Sequence, residues 1–85
     1  MSETTDQRLR QTLADVLGLP LAQVAGFTAN TGLFGHLPEL DSMAVATLLT
    51  ELEDRFGLEL ADADIDGDLL ASYGSLSAFV AERAA

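Results

Sequence analysis

Apolar side chains fall into three helix-period stripes separated by irregular stretches. Leu9, Leu13, Val16 and Leu17 recur at i, i+4, i+7 and i+8, one face of a helix that starts after Thr4 or Thr5 and stops at Gly18. Asp6 falls in its first turn, where a carboxylate suits the positive end of the helix dipole. Val45, Leu49, Leu52 and Phe56 make a second stripe, widened by Leu48, with Thr47, Thr50, Glu51, Asp54 and Arg55 mostly on the other side. This pattern predicts a helix from Ser42 to Phe56 closed by Gly57. Leu76, Phe79 and Val80 predict a last helix, capped by Ser75 after a break at Gly74 and ending near Arg83.

The stretches between are less regular. Pro20 opens a turn of helix through Val24, and Gly26, Asn30, Gly32, Gly35 and Pro38 break any longer period. Yet Leu21, Val24, Phe27, Leu33, Phe34, Leu37 and Leu40 lie in this segment, so it is expected to be a packed crossover pinned over the core. A connection this long in a small domain is usually functional. Leu58 to Leu60 reads as a short extended link, and Asp62 to Tyr73 as one short helix or two turns around Gly67. The expectation is all-α: a small four-helix bundle of three longer helices and one short third helix, with a long loop between the first two. Eighty-five residues, 48% of them apolar, suffice for one small domain spanning residues 1–85.

The crossover ends at Pro38–Val45. Asp41 is a good helix N-cap, and Leu40 and Val45 have the spacing of a hydrophobic staple that sets the chain's entry angle. Ser42 then opens the helix with its hydroxyl facing outward. His36 is six residues upstream and no Gly-x-Ser-x-Gly elbow is present, so the serine lacks an evident activating base. Catalysis by this chain alone is therefore not expected. A hydroxyl at a helix N-terminus is, however, well placed to carry a phosphate ester.

Charge sharpens this picture. Fourteen acidic residues face four arginines and no lysine, a net charge of −10. Such a surface repels nucleic acid and anionic membranes and attracts partners with basic patches. Ten of the acids lie between Glu39 and Asp68, where Arg55 is the one arginine, and Glu51, Asp54, Glu59 and Asp62 are the expected docking contacts. Absence of cysteine removes disulfides and thiolate metal sites. The N-terminus lacks a signal-peptide layout and no apolar run approaches membrane-spanning length, so a soluble cytoplasmic monomer without membrane insertion is expected.

A rival reading attaches to Asp62-Ala63-Asp64-Ile65-Asp66-Gly67-Asp68, which copies the first half of an EF-hand calcium loop. It would make the chain a calcium-responsive helical interaction module. The twelfth loop position, which needs a bidentate glutamate, is Tyr73, and the preferred reading is a solvated acidic cluster with loose divalent-ion binding and no defined metal site.

Leu40-Asp41-Ser42-Met43, followed by a helix ending Leu52-Glu53-Asp54-Arg55-Phe56-Gly57-Leu58 and then Leu60-Ala61-Asp62, resembles the acyl carrier protein family over nearly the whole chain. The resemblance implies a bundle of acyl-carrier type in which Ser42 carries a 4′-phosphopantetheine arm. A separate phosphopantetheinyl transferase would add it from coenzyme A. The arm's thiol would hold acyl or aminoacyl groups as thioesters for a loading ligase and downstream acyl-processing enzymes with basic docking patches, Met43 lying in the surface they touch. The chain would be a carrier, not an enzyme.

Carriers of fatty-acid synthesis usually place acids just after the serine, where this chain has Ala44 and Thr47, and Glu39-Leu40-Asp41-Ser42 is not the Gly-Gly-[His/Asp]-Ser form of peptide-synthetase carriers. The Leu-Asp-Ser form is similar to stand-alone carriers loaded by a dedicated ligase, including D-alanyl carriers, which implies a dedicated biosynthetic pathway. Leu49, Leu52, Ile65 and Leu69 are expected to part and shelter an acyl chain.

Overall fold

In a computed structural model, residues 4–61, 64, 65 and 67–83 are described, and among them the regular elements are α1 (Thr5–Leu17), α2 (Leu21–Ala25), α3 (Ser42–Phe56) and α4 (Tyr73–Arg83). No strand occurs among these residues, only an isolated antiparallel bridge between Gly32 and Ser72. The all-α bundle therefore matches the sequence expectation.

Local chemistry explains the ends of α1 and α3. Thr4 and Gln7 form a reciprocal capping box: Gln7 N–H donates to Thr4 Oγ1 at 3.1 Å, and Thr4 N–H donates to Gln7 Oε1 at 2.9 Å. Gly18 (φ 68°) and Gly57 (φ 63°) close the two helices in the left-handed region, which costs glycine no Cβ clash.

Helix α1 is the hub, packed against α2, α3 and α4. Leu9 and Leu13 are fully buried and meet Leu33, Leu48, Leu52, Leu76 and Val80 in one core. Each such side chain contributes roughly 1.5–3 kcal/mol by leaving water. Thr12 is also fully buried, and its hydroxyl is satisfied by donating to Arg8 O at 2.8 Å.

All four arginines are used as cross-links. Arg55 pairs with Asp15 of α1 at 2.9 Å and with Glu51 of its own helix at 3.1 Å. Arg10 pairs with Asp6 at 2.8 Å, reaches the carbonyls of Val24 and Ala25 at the end of α2, and lies over the Tyr73 ring. Arg8 donates to the carbonyl of Arg55 and covers the Phe56 ring. Arg83 grips Asp64 at 2.7 Å and covers Phe79.

Four expectations are corrected. The short helix does not lie third in the chain: α2 holds that place in the crossover, and the described residues between Leu60 and Tyr73 form no α-helix. There the carbonyls of Leu70 and Ala71 accept from Phe34 and Leu33 across the molecule, bonds that take the place of an intrahelical ladder. Gly74 does not break the chain but sits in the first turn of α4. Its role is close approach: a Cβ there would lie 2.7 Å from Ala29 O, and Gly74 N–H donates to that oxygen at 3.0 Å. Accordingly Ser72 Oγ, not Ser75, acts as the side-chain cap, accepting from Ser75 N–H at 3.2 Å. Finally, Leu21 and Phe34 are not pinned to the core but are 58% and 52% exposed.

Candidate functional site

The bonds across the molecule hold the crossover in place. Tyr73 N–H donates to Thr31 O at 2.8 Å, Leu33 N–H to Ala71 O at 3.2 Å, and Phe34 N–H to Leu70 O at 2.8 Å. From there a tight set of turns runs to the start of α3: His36 and Leu37 N–H donate to Leu33 O, and Leu40 N–H to Leu37 O. His36 lies with its ring against Gly32, where any Cβ would collide with the imidazole. Leu40 is buried and Val45 packs against the core, so the two staple residues flank the junction as predicted.

Asp41 then caps α3. Its backbone is extended (φ −98°, ψ −175°) and its Oδ1 accepts from Ala44 N–H at 2.8 Å, while Val45 N–H donates to Asp41 O at 2.9 Å. The amides of Ser42 and Met43 are left without an intrahelical acceptor. Ser42 is the first helical residue and is exposed, with Met43 beside it 81% exposed. An exposed hydroxyl next to two unsatisfied amides and the positive end of a fifteen-residue helix dipole suits an esterified phosphate.

The acidic contacts named from the sequence divide. Asp54 and Glu59 are exposed, whereas Glu51 is half-buried and held by Arg55, and Asp62 lies outside the described residues. Ala44 is half-buried against the core and so does not belong to the outer face that Thr47 occupies. Asp64, at the third position of the calcium-loop match, is spent on Arg83 and the Ala61 amide, and these hold its carboxyl below the usual range, the amide contributing most. Asp62, Ala63 and Asp66 of that loop lie outside the described residues, and among the described ones no three acids or histidines converge to hold a metal.

The structure also brings together residues that sequence reasoning did not group. Phe34, Val45, Ile65, Gly67 and Leu70 line an apolar cleft of about 260 Å³, with Val45 one turn along α3 from Ser42. Of the four residues expected to shelter a chain, Ile65 lines this cleft, while Leu52 and Leu69 are closed into the core and Leu49 is half-buried against it. The Phe34–Leu70 wall is set by a backbone bond between residues far apart in sequence, so periodicity alone could not have found it. No helix among the described residues is long and apolar enough to cross a membrane.

Comparison with known proteins agrees with this geometry. Residues 7–81 match the family model of the phosphopantetheine attachment site. The fold matches the solution structure of a holo acyl carrier protein from Nitrosomonas europaea, with a TM-score of 0.82 and 36% identity, covering 94% of this chain and 95% of that one. No curated protein matches significantly. Matched over most of its length by both sequence and fold, the chain belongs to the acyl carrier protein family, whose prosthetic group is a covalently attached 4′-phosphopantetheine.

Proposed function

We infer that Ser42 is the attachment residue and that the chain, as one carrier domain over residues 1–85, tethers acyl intermediates in a dedicated biosynthetic pathway. The observation that carries this reading is the exposed Ser42 hydroxyl at the capped start of α3, in a chain of this family. A transferase forms the ester when the Ser42 oxygen attacks a phosphorus of coenzyme A. The pyrophosphate bond breaks, adenosine 3′,5′-bisphosphate leaves, and the hydroxyl proton passes to a base of the transferase. The arm supplies a thiol at its far end, to which cargo is joined as a thioester.

The chain's own contribution is positional. Asp41 and the Leu40–Val45 pair hold the serine at a rigid corner, so cargo is presented to successive enzymes at high effective concentration. Among the described residues, those lining the cleft (Phe34, Val45, Ile65, Gly67 and Leu70) carry no charge, which supports an apolar acyl group over an aminoacyl one, whose ammonium would be desolvated there.

The deciding experiment is intact-mass measurement after incubation with coenzyme A and a broad-specificity phosphopantetheinyl transferase, with Ser42→Ala in parallel. A phosphopantetheine-sized gain that needs Ser42 is expected; no gain in the wild type, or the same gain in Ser42→Ala, refutes the assignment. For the cargo, loading a saturated acyl group on the arm should move the methyl resonances of Ile65 and Val45. Resonances that stay in place refute the cleft as its shelter.

A further inference from the structure

Met43, the second residue of α3, directly follows the serine and is 81% exposed. No other large hydrophobic residue among those described stands as far out, the next being Leu21 at 58%. Its backbone is nonetheless fixed. The Thr47 hydroxyl donates to Met43 O at 3.2 Å, and the buried Leu40 and the packed Val45 anchor the chain on either side. A rigid main chain therefore holds a thioether out in water.

That thioether is the one exposed sulfur among the described residues. The chain has no cysteine, and the other methionine, Met1, lies outside them. Until an arm is attached, no thiol on the chain competes with a thioether for an oxidant. Position gives this chemistry a consequence. Consecutive Cα atoms lie about 3.8 Å apart, so an enzyme that closes over the Ser42 hydroxyl also covers the Met43 side chain. A thioether loses little when covered. A sulfoxide carries a strong acceptor that must find a new donor or be desolvated unpaired.

We propose that Met43 is an oxidation switch on the carrier: conversion to the sulfoxide slows attachment of the arm at Ser42, and reduction restores it. This rests on Ser42 being the attachment residue. In the forward step a lone pair of the sulfur attacks one oxygen of hydrogen peroxide. The O–O bond breaks, an S–O bond forms, and the other oxygen leaves as water after proton transfer, the sulfur giving up two electrons. In the reverse step two thiols of a methionine sulfoxide reductase system become a disulfide, and the sulfoxide oxygen leaves as water. The switch acts on the unmodified chain, whose loading pauses while oxidant is present.

The test uses the full, unmodified chain. It is treated with excess hydrogen peroxide and cleared of oxidant with catalase, and peptide mass mapping reads oxygen gain at Met43 and Met1 separately. A broad-specificity transferase and coenzyme A are then added, and attachment is followed by intact mass. Sulfoxide at Met43 should raise KM about fivefold or more. The factor should be the same at about 50 and about 500 mM NaCl, because no charge changes. Methionine sulfoxide reductases of both stereospecificities, with dithiothreitol, should return both the mass and the KM. Met43→Gln, which places a polar amide of similar length there, should have a raised KM without peroxide. Met43→Leu should have one KM, the same with and without peroxide. The Tm of the oxidised chain should stay within about 4 °C of the reduced one, as for a change at an exposed position.

The proposal is overturned if Met43 stays reduced in peroxide, if the Met43 sulfoxide is modified with the untreated KM, or if the loss persists in Met43→Leu. A Met43→Gln chain with the wild-type KM overturns it too, as does a larger fall in Tm, which would assign the loss to the helix start and not to the covered surface. Failure of the untreated wild type to be modified at all would instead remove the carrier assignment, and the switch with it.

Discussion

Removing the cap of α3 separates two physical contributions that act on the same residue. Asp41→Ala deletes the bond from Ala44 N–H to Asp41 Oδ1 (2.8 Å) and the negative charge at the positive end of the helix. Loss of a side-chain N-cap costs about 1 kcal/mol, and loss of the charge–dipole attraction about 0.5 kcal/mol. The backbone bond from Val45 N–H to Asp41 O and the buried Leu40 remain, so the helix shortens only at its first turn. For a domain of this size each kcal/mol moves Tm by about 4–8 °C, so Asp41→Ala should lower it by roughly 6–12 °C.

Asp41→Asn keeps an oxygen acceptor in place and should lose only the charge part, roughly 2–4 °C. Thermal unfolding followed by circular dichroism at neutral pH gives both numbers. Repeating it at about 0.5 M NaCl should close most of the gap between Asn and wild type while leaving the Ala deficit, because salt screens the dipole interaction and not the hydrogen bond. A drop of less than about 2 °C for Asp41→Ala would show that the crossover turns alone define the start of α3. Equal drops for Ala and Asn would show that charge, not capping geometry, holds it.

The remaining expectations concern stability. Gly74→Ala should destabilise by about 1–3 kcal/mol, because the new Cβ would meet the Ala29 carbonyl at 2.7 Å. A rise in the urea midpoint, as alanine gives at an ordinary helical position, would refute that contact. Burial and the hydrogen bond to Asp6 at 2.5 Å push the Tyr73 hydroxyl well above its ordinary range. Its folded pKa exceeds the unfolded one, so this contribution is complete below about pH 10 and is lost as pH rises further. The sequence has one tyrosine and no lysine, so Tyr73→Phe should flatten the alkaline limb of a denaturation profile, and a limb that persists unchanged in that variant refutes the assignment.

At the other extreme, three carboxyls sit below their usual range: Asp6 through the Tyr73 hydroxyl and then Arg10, Asp15 chiefly through Arg55, and Asp64 through the Ala61 amide and Arg83. Depressed folded values mean stability that is present above about pH 4 and lost as pH falls below it. A urea midpoint that does not decline between about pH 4 and pH 2 would contradict these pairings.

Where local chemistry decides structure, the chain could be read directly. The limits of α3 follow from an aspartate cap, an apolar period and a left-handed glycine, all within one stretch of sequence. The same holds for α1 and for the exposed Ser42. What escaped reading depends on partners far away. Gly74 looks like a breaker until Ala29 is seen against it. The segment before α4 looks helical until Leu33 and Phe34 are seen taking its carbonyls. Phe34 and Leu21 are apolar, but apolar character alone does not tell a core residue from one at the rim of a cleft or groove. Ala44 and Thr47 both follow the serine closely, yet one packs inward and the other faces water, a difference of register on the helix.

The arginine cross-links also bear on how far the arm can move. With no lysine in the chain and all four guanidiniums engaged in holding one element to another, no arginine is left over to clasp a phosphodiester, were one attached at Ser42. A phosphate there would meet the amide dipoles at the start of α3, with the Asp41 carboxylate on the preceding residue. Such a tether would thus be held electrostatically at its root alone, by the helix start, and by no arginine side chain beyond it.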